Sequence, residues 1–434
     1  MQQTTAASTG GAPSAIAPGA WPFLGFMMVL NILNILDRQL LPTFANEIID
    51  ELQLSNAEFG LLTGIMFTLM YGLLSPFMGV IADSTHRPRF AAAGLALWSA
   101  LTAASGAARS FAALAIPRVL IGVGESTLTP TALSMISSRF PAARLGLATG
   151  IYYAGVPLGA GAAYMVASAL APIIGWRNCF FVLGGVGIAL ALVLVTFRET
   201  RPPASGGASE RIKGMLALAP ETIGLVLRTP TVFYSLLGAV LLHVAVGAAQ
   251  FDARWWRVEL DLELGPLFFK IALIYATIGV AGNVIGGALG DWWQKTTGQG
   301  RPMLLVWLFL LLSPIGFFYR LVDGESAVFW LGIAAGIFQL GTLYGPVVGT
   351  VQELTPERVR ATAVALFIMS VNVIGLGISV TAAGYLIDWF AAMGRPRPIT
   401  DMMLVLQAVS LLAIPSLFIA ARNYKKDRER MATA

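Results

Sequence analysis

Blocks of about twenty apolar residues, separated by short polar breaks, recur along this chain, and each can cross the roughly 30 Å hydrocarbon core of a bilayer as one helix. Lipid offers no hydrogen bonds, so a spanning segment must satisfy its own backbone. Only a helix or a closed barrel does so, and barrel strands are far shorter than these blocks. The spans are expected at 21–45, 59–82, 90–108, 111–137, 146–171 and 176–197. A second set is expected at 231–249, 266–289, 303–319, 327–349, 361–387 and 402–420. Only 12% of residues are charged, against about a quarter in a soluble domain, so most of the surface must face something other than water. The expected class is an all-α polytopic membrane protein of twelve helices in two pseudo-symmetric six-helix bundles.

The spacing of the blocks sets the domain plan. Residues 1–20 carry no charged side chain, lack the basic start of a secretory signal, and read as a disordered tail. Residues 21–197 form the first bundle and 231–420 the second. Between them, 198–230 is a linker opening with Arg201-Pro202-Pro203 and Ser205-Gly206-Gly207. Its later part sets Ile212, Met215, Leu216 and Ile223 among charges, the pattern of an interfacial helix. Residues 421–434 are a basic tail. Most of the 28 lysines and arginines fall on the side of both termini, while the first loop on the other side holds Glu47, Asp50, Glu51 and Glu58 and no cation. Both termini are therefore expected in the cytoplasm. The net charge of +5 reflects this asymmetry and gives no reason to expect nucleic acid. One cysteine, Cys179, and two histidines exclude an intrachain disulfide and make a metal site improbable, so no cofactor is expected.

The halves echo each other. Gly79-x-x-x-Asp83 after the second span recurs as Gly287-x-x-x-Asp291 after the eighth, and Pro141-x-x-Arg144 before the fifth recurs as Pro356-x-x-x-Arg360 before the eleventh. Matching motifs in matching slots predict a duplication, and transporters built this way hold substrate between the halves near mid-membrane.

An ionisable side chain inside a span is costly and marks a functional site by default. Four stand out: Asp37 and Arg38 in span one, Arg118 and Glu125 in span four. At about 1.5 Å per residue, Asp37 and Arg118 both lie roughly 10–12 Å below the outer surface, and Glu125 lies about 10 Å deeper. Asp37 and Arg118 are thus expected to pair, as a structural tie, a binding element, or both. Desolvation favours the neutral form of a carboxyl, so Glu125 at mid-membrane is a candidate proton carrier. Asn34 shares a face of span one with Arg38. The second half holds only His243, Asn283, Gln339, Tyr344 and Asn372 among apolar residues. His243 reads as a packed neutral histidine bonded to a carbonyl, ahead of a proton carrier. Gln339 and Asn372 read equally as interhelical glue or as cavity lining. This asymmetry suggests an amphipathic ligand, with its charged head in the first half and its apolar body against the second.

The Gly-x-x-x-Asp motif, Arg118-x-x-x-Gly122 and the paired six-span halves resemble the major facilitator superfamily. Asn34-x-x-Asp37-Arg38, Arg118-Val-Leu-Ile-Gly122-Val-Gly124-Glu125-Ser126 with Pro130, Tyr153-Ala-Gly-Val-Pro157-Leu-Gly159 and Trp176-Arg177 are similar to the spinster family, in a bacterial member. The resemblance implies proton-linked transport of lysolipids or sphingoid-base phosphates, with headgroup binding and proton coupling carried by Asp37, Arg38, Arg118 and Glu125. It also implies a latch between halves in which Asp83 meets Arg144 or Arg360, although Ser84 and His86 depart from the superfamily's inner-loop pattern.

The expected function is a proton-coupled secondary transporter of an amphipathic anion. Arg38 and Arg118, helped by Asn34, Gln339 and Asn372, would bind substrate, and Asp37 and Glu125 would carry protons. The expected partners are that lipid-like substrate, protons and the bilayer, in a monomer of the bacterial inner membrane. Symport and antiport stay open. The rival readings are a sugar-acid or drug carrier of the same superfamily and a lipid-modifying membrane enzyme. The enzyme is disfavoured, because no Gly-x-Ser-x-Gly, His cluster or Gly-x4-Gly-Lys-Ser/Thr loop occurs.

Overall fold

A computed structural model of the protein describes residues 15–201 and 207–433, and every regular element among them is helical. Spans one to six are Ala20–Thr43, Asn56–Asp83, Arg87–Gly106, Phe111–Ser137, Ala142–Ile174 and Trp176–Val195. Spans seven to twelve are Pro230–Ala249, Leu264–Thr297, Arg301–Leu321, Ala327–Glu353, Glu357–Ala392 and Pro398–Met431. Eleven of these are long and apolar enough to cross a membrane by composition alone. Span three falls short because Arg89 and several small polar residues dilute its leucines and alanines. Within the first half, span one packs on span five and span three on span six. In the second, span seven packs on span twelve and spans eight and nine on span ten.

The halves meet tightly on the side away from the termini. There the start of span two lies on the end of span eleven, and a Cβ on Gly384 would sit 2.1 Å from the Asn56 carbonyl oxygen. Only glycine allows two backbones that close. Asp388 closes the seam by accepting from the Asn56 side-chain amide (2.8 Å) and from the Ala57 N–H (2.8 Å), two donors at the start of span two. Phe59 meets Phe251 edge-on, Asn46 donates to the Ala253 carbonyl, and Arg254 pairs with Asp50. On the terminal side the halves are joined through the linker helix Ala208–Arg228. Its Arg211 reaches Asp83 and Ser84 of the first half, and its Glu221 pairs with Arg358 of the second.

Two expected boundaries change. The expected disordered tail lies outside the described residues for 1–14, but Ala17 donates its N–H to the Arg139 carbonyl and the helix starts at Ala20. The basic segment after residue 420 is helical over the residues described: the last helix runs through it, Tyr424 bonds Glu353 (2.6 Å), and Asp427 accepts from the Thr231 N–H (2.9 Å). Both segments find partners on neighbouring helix ends, which a linear reading does not reveal.

Candidate functional site

Span four breaks immediately after Glu125, since regular helix covers Phe111–Glu125 and resumes at Leu128–Ser137. Pro130 explains the break: it has no N–H for the Ser126 carbonyl, and its ring crowds that oxygen. Just before the break, Gly122 and Gly124 admit neighbouring backbones. A Cβ on Gly122 would lie 2.8 Å from the Phe67 carbonyl oxygen, and one on Gly124 2.9 Å from the Gly94 carbonyl oxygen. Spans two and three are thereby pressed onto span four, which brings Phe67, Tyr71 and Trp98 to the charged residues.

Arg38 Nε donates to Glu125 Oε2 at 2.5 Å. The Arg38 guanidinium lies over the Tyr71 ring at 3.9 Å from its centre and near the Phe67 ring at 5.2 Å. Its side chain is 18% exposed and that of Glu125 is 0%, so the pair is reached by solvent only from the arginine side. Four polar atoms of this group have no protein partner: Arg38 Nη2, Glu125 Oε1, Asp37 Oδ1 and Asn34 Nδ2. Asn34 faces Glu125 without closing a hydrogen bond to it. Buried polar atoms are normally satisfied, and a cluster of exceptions marks a place built for a ligand, water or proton.

The expected Asp37–Arg118 pair is not formed. Asp37 instead accepts from Trp98 Nε1 (3.2 Å) and Thr102 Oγ1 (3.4 Å). Arg118 is 3% exposed, donates to the Leu62 carbonyl (3.4 Å), and faces Phe67 at 5.1 Å. Equal depth along two helices does not mean equal facing around them, and here each side chain turns toward span two or three. Of the two arginines expected to hold substrate, only Arg38 reaches open space.

The expected latch is also rearranged. Asp83 takes Arg201 (2.6 Å) and Ser134 (2.7 Å), with Arg211 at 3.7 Å, rather than Arg144 or Arg360. Arg144 is exposed, and Arg360 bonds the Thr355 carbonyl. The second copy of the motif stays within its half: Asp291 pairs with Arg301, which also holds Glu353; beside Asp83, Arg87 holds Glu199 at 2.5 Å. Partial burial pushes Glu199 up, but hydrogen bonds from the Arg87 side chain and backbone outweigh this and hold its carboxyl at about 2.

In the second half the polar groups are engaged with one another. His243 Nδ1 lies 2.8 Å from the Ala239 carbonyl and Nε2 2.7 Å from the Tyr344 hydroxyl. Gln339 donates to Ser313 (3.2 Å), joining spans ten and nine, and Asn372 donates to the Ile368 carbonyl within a π-helical stretch, Val371–Ile378. Sequence reasoning missed two features. Asp252 and Arg320 form a buried pair at 2.5 Å, boxed by Trp255 and Tyr319, because both lie just past span ends and read as loop charges. Tyr153 and Tyr344 are 37% and 39% exposed, and Tyr344 has Tyr71, Tyr153 and Arg38 as electrostatic neighbours. No local signal separates such a tyrosine from a packed one.

A twelve-span bundle with a half-satisfied charge cluster facing the gap between two halves defines a membrane transporter and not an enzyme. Residues 27–380 match the Major Facilitator Superfamily, and the chain belongs to that family. It is 26% identical over 419 residues to an MFS-type efflux pump of Mycolicibacterium smegmatis, covering 94% of each chain. It is 25% identical over 434 residues to a sphingosine-1-phosphate transporter of Xenopus tropicalis, covering 93% of this chain and 83% of the other. Its fold matches that of a bacterial homolog of the human lysosomal transporter spinster, solved inward-facing and unoccupied, with a TM-score of 0.78 and 23% identity over 95% of this chain and 98% of that one.

Proposed function

We propose that the protein is a proton-coupled transporter of an amphipathic anion of the lysolipid or sphingoid-phosphate kind, working by alternating access, with both termini in the cytoplasm of a bacterium. The observation that carries this reading is the Arg38–Glu125 pair, in which the Arg38 side chain is partly exposed, its buried Nη2 has no protein partner, and Glu125 is fully sealed.

An arriving phosphate or carboxylate competes with Glu125 for the guanidinium, whose fork suits bidentate oxyanion binding. A carboxylate that loses its cation in a desolvated site takes up a proton. Anion and proton are then bound together, and reciprocity makes each favour the other, which is symport. Arg118 keeps the cluster neutral when both Asp37 and Glu125 are charged, and Trp98 and Thr102 keep Asp37 supplied with donors. The apolar body of the ligand lies against the second half, where Gln339 and Asn372 spend their amide donors on protein partners and act as interhelical and local ties. A sugar acid would want free hydroxyl partners on that wall, so the amphipathic ligand is preferred.

Reconstitution in liposomes tests this. A pH gradient should drive uptake of a lysophosphatidic acid by the wild type and not by Glu125→Gln, which should still exchange substrate without a gradient. Full gradient-driven accumulation by Glu125→Gln refutes the coupling role.

A further inference from the structure

The wall of the second half offers one polar oxygen whose hydrogen-bonding role is determined. The Ala239 carbonyl can only accept, so His243 carries its proton on Nδ1, and Nε2 must accept from the Tyr344 hydroxyl. No carboxylate contacts the His243 ring among the described residues, so nothing there favours a second proton. Tyr344 has therefore spent its own proton, and its oxygen meets a ligand as an acceptor alone. The ring is clamped edge-on by His243 and Phe367, with centres 5.6 and 6.5 Å away, yet 39% of the residue is exposed. Tyr71, Tyr153 and Arg38 lie near enough to act on it electrostatically. Three spans hold the arrangement, for Gly375 of span eleven brings its backbone so close that a Cβ there would lie 2.8 Å from the His243 Cβ.

Resting on the anion reading above, we propose that Tyr344, oriented by His243, is a specificity-determining residue that selects substrates bearing a hydroxyl beside the anionic group. Arg38 anchors the anion from the first half, and the Tyr344 oxygen accepts the hydroxyl proton from the second. A neutral hydroxyl fits better than an ammonium, because this oxygen is uncharged and no carboxylate bonds to it among the described residues. A ligand bridging both halves also reports to each that the other is engaged, which suits a transporter that rocks only when loaded.

The experiment measures binding to the purified full-length protein of an acyl lysophosphatidic acid, which keeps a free hydroxyl, and of its chain-matched deoxy analogue. The wild type should favour the hydroxylated ligand about five- to tenfold, the worth of one neutral hydrogen bond. Tyr344→Phe, which keeps the ring, should bring the two ligands to equal affinity. His243→Leu releases the phenol proton and should weaken the preference, and both variants should elute as folded, monodisperse protein. Equal binding of the two ligands by the wild type, or a preference that survives in Tyr344→Phe, overturns this inference and leaves the anion reading standing. Failure of the wild type to bind either ligand overturns both.

Discussion

Replacing Arg38 by glutamine removes the ion-pair partner of Glu125 and leaves a carboxylate with 0% side-chain exposure, with Asn34 beside it and Arg118 as the remaining nearby cation. Breaking a buried pair from one side costs about 3–5 kcal/mol. Here the carboxyl has an escape, because it can take a proton from solvent. Each pH unit above an ordinary glutamate value of about 4.3 makes that neutralisation about 1.4 kcal/mol harder, so the loss is capped near about 3.7 kcal/mol at pH 7 and about 1.6 kcal/mol at pH 5.5. The destabilisation of Arg38→Gln should therefore shrink as pH falls. Glu125→Gln should cost less, since Arg38 is partly exposed and can relax toward the gap. The double variant should be more stable than Arg38→Gln alone near pH 7, because no unpaired carboxylate remains. Chemical unfolding in detergent across pH measures all three. A loss that does not change with pH, or a double variant whose loss equals the sum of the singles, would show that Glu125 does not depend on Arg38.

Three further perturbations probe the frame around the site. Glu199→Gln should cost about 3 kcal/mol at neutral pH, since Arg87 is 1% exposed and would lose its carboxylate. With Glu199 held at about 2, its contribution is complete above the ordinary glutamate range and is lost as pH falls toward that value. Wild type and variant should hence converge in acid unfolding, and parallel curves would count against the pair. Asp388→Asn should loosen the clasp on the start of span two and raise the outward-open population, read as a longer distance between labels at positions 58 and 393. Gly384→Ala must push spans two and eleven apart, because the obstructing atom is backbone. A stability loss of about 1–3 kcal/mol is expected with the same opening, and an unchanged label distance would place the seam elsewhere.

The spans, the duplicated halves and the identity of the buried charges were legible in the sequence because each follows from a local rule. Bilayer thickness determines how long an apolar block must be, and the cost of a charge in lipid singles out Asp37, Arg38, Arg118 and Glu125 wherever they pair. The packed histidine was also readable, since a mid-span His243 has its own helix carbonyl at Ala239 within reach. Partner choice was decided only by tertiary structure. Depth along a helix can be counted from residue numbers, but rotation about its axis and the approach of its neighbours cannot. Asp37 and Arg118 share a depth, yet Gly124 brings Trp98 close enough to take Asp37, and the long Arg38 side chain reaches Glu125 instead. Asp83 likewise found Arg201 and Arg211 of the linker rather than the expected Arg144 or Arg360. Its partner depends on where the linker helix comes to rest against the two halves, and that is set by packing between segments far apart in the chain.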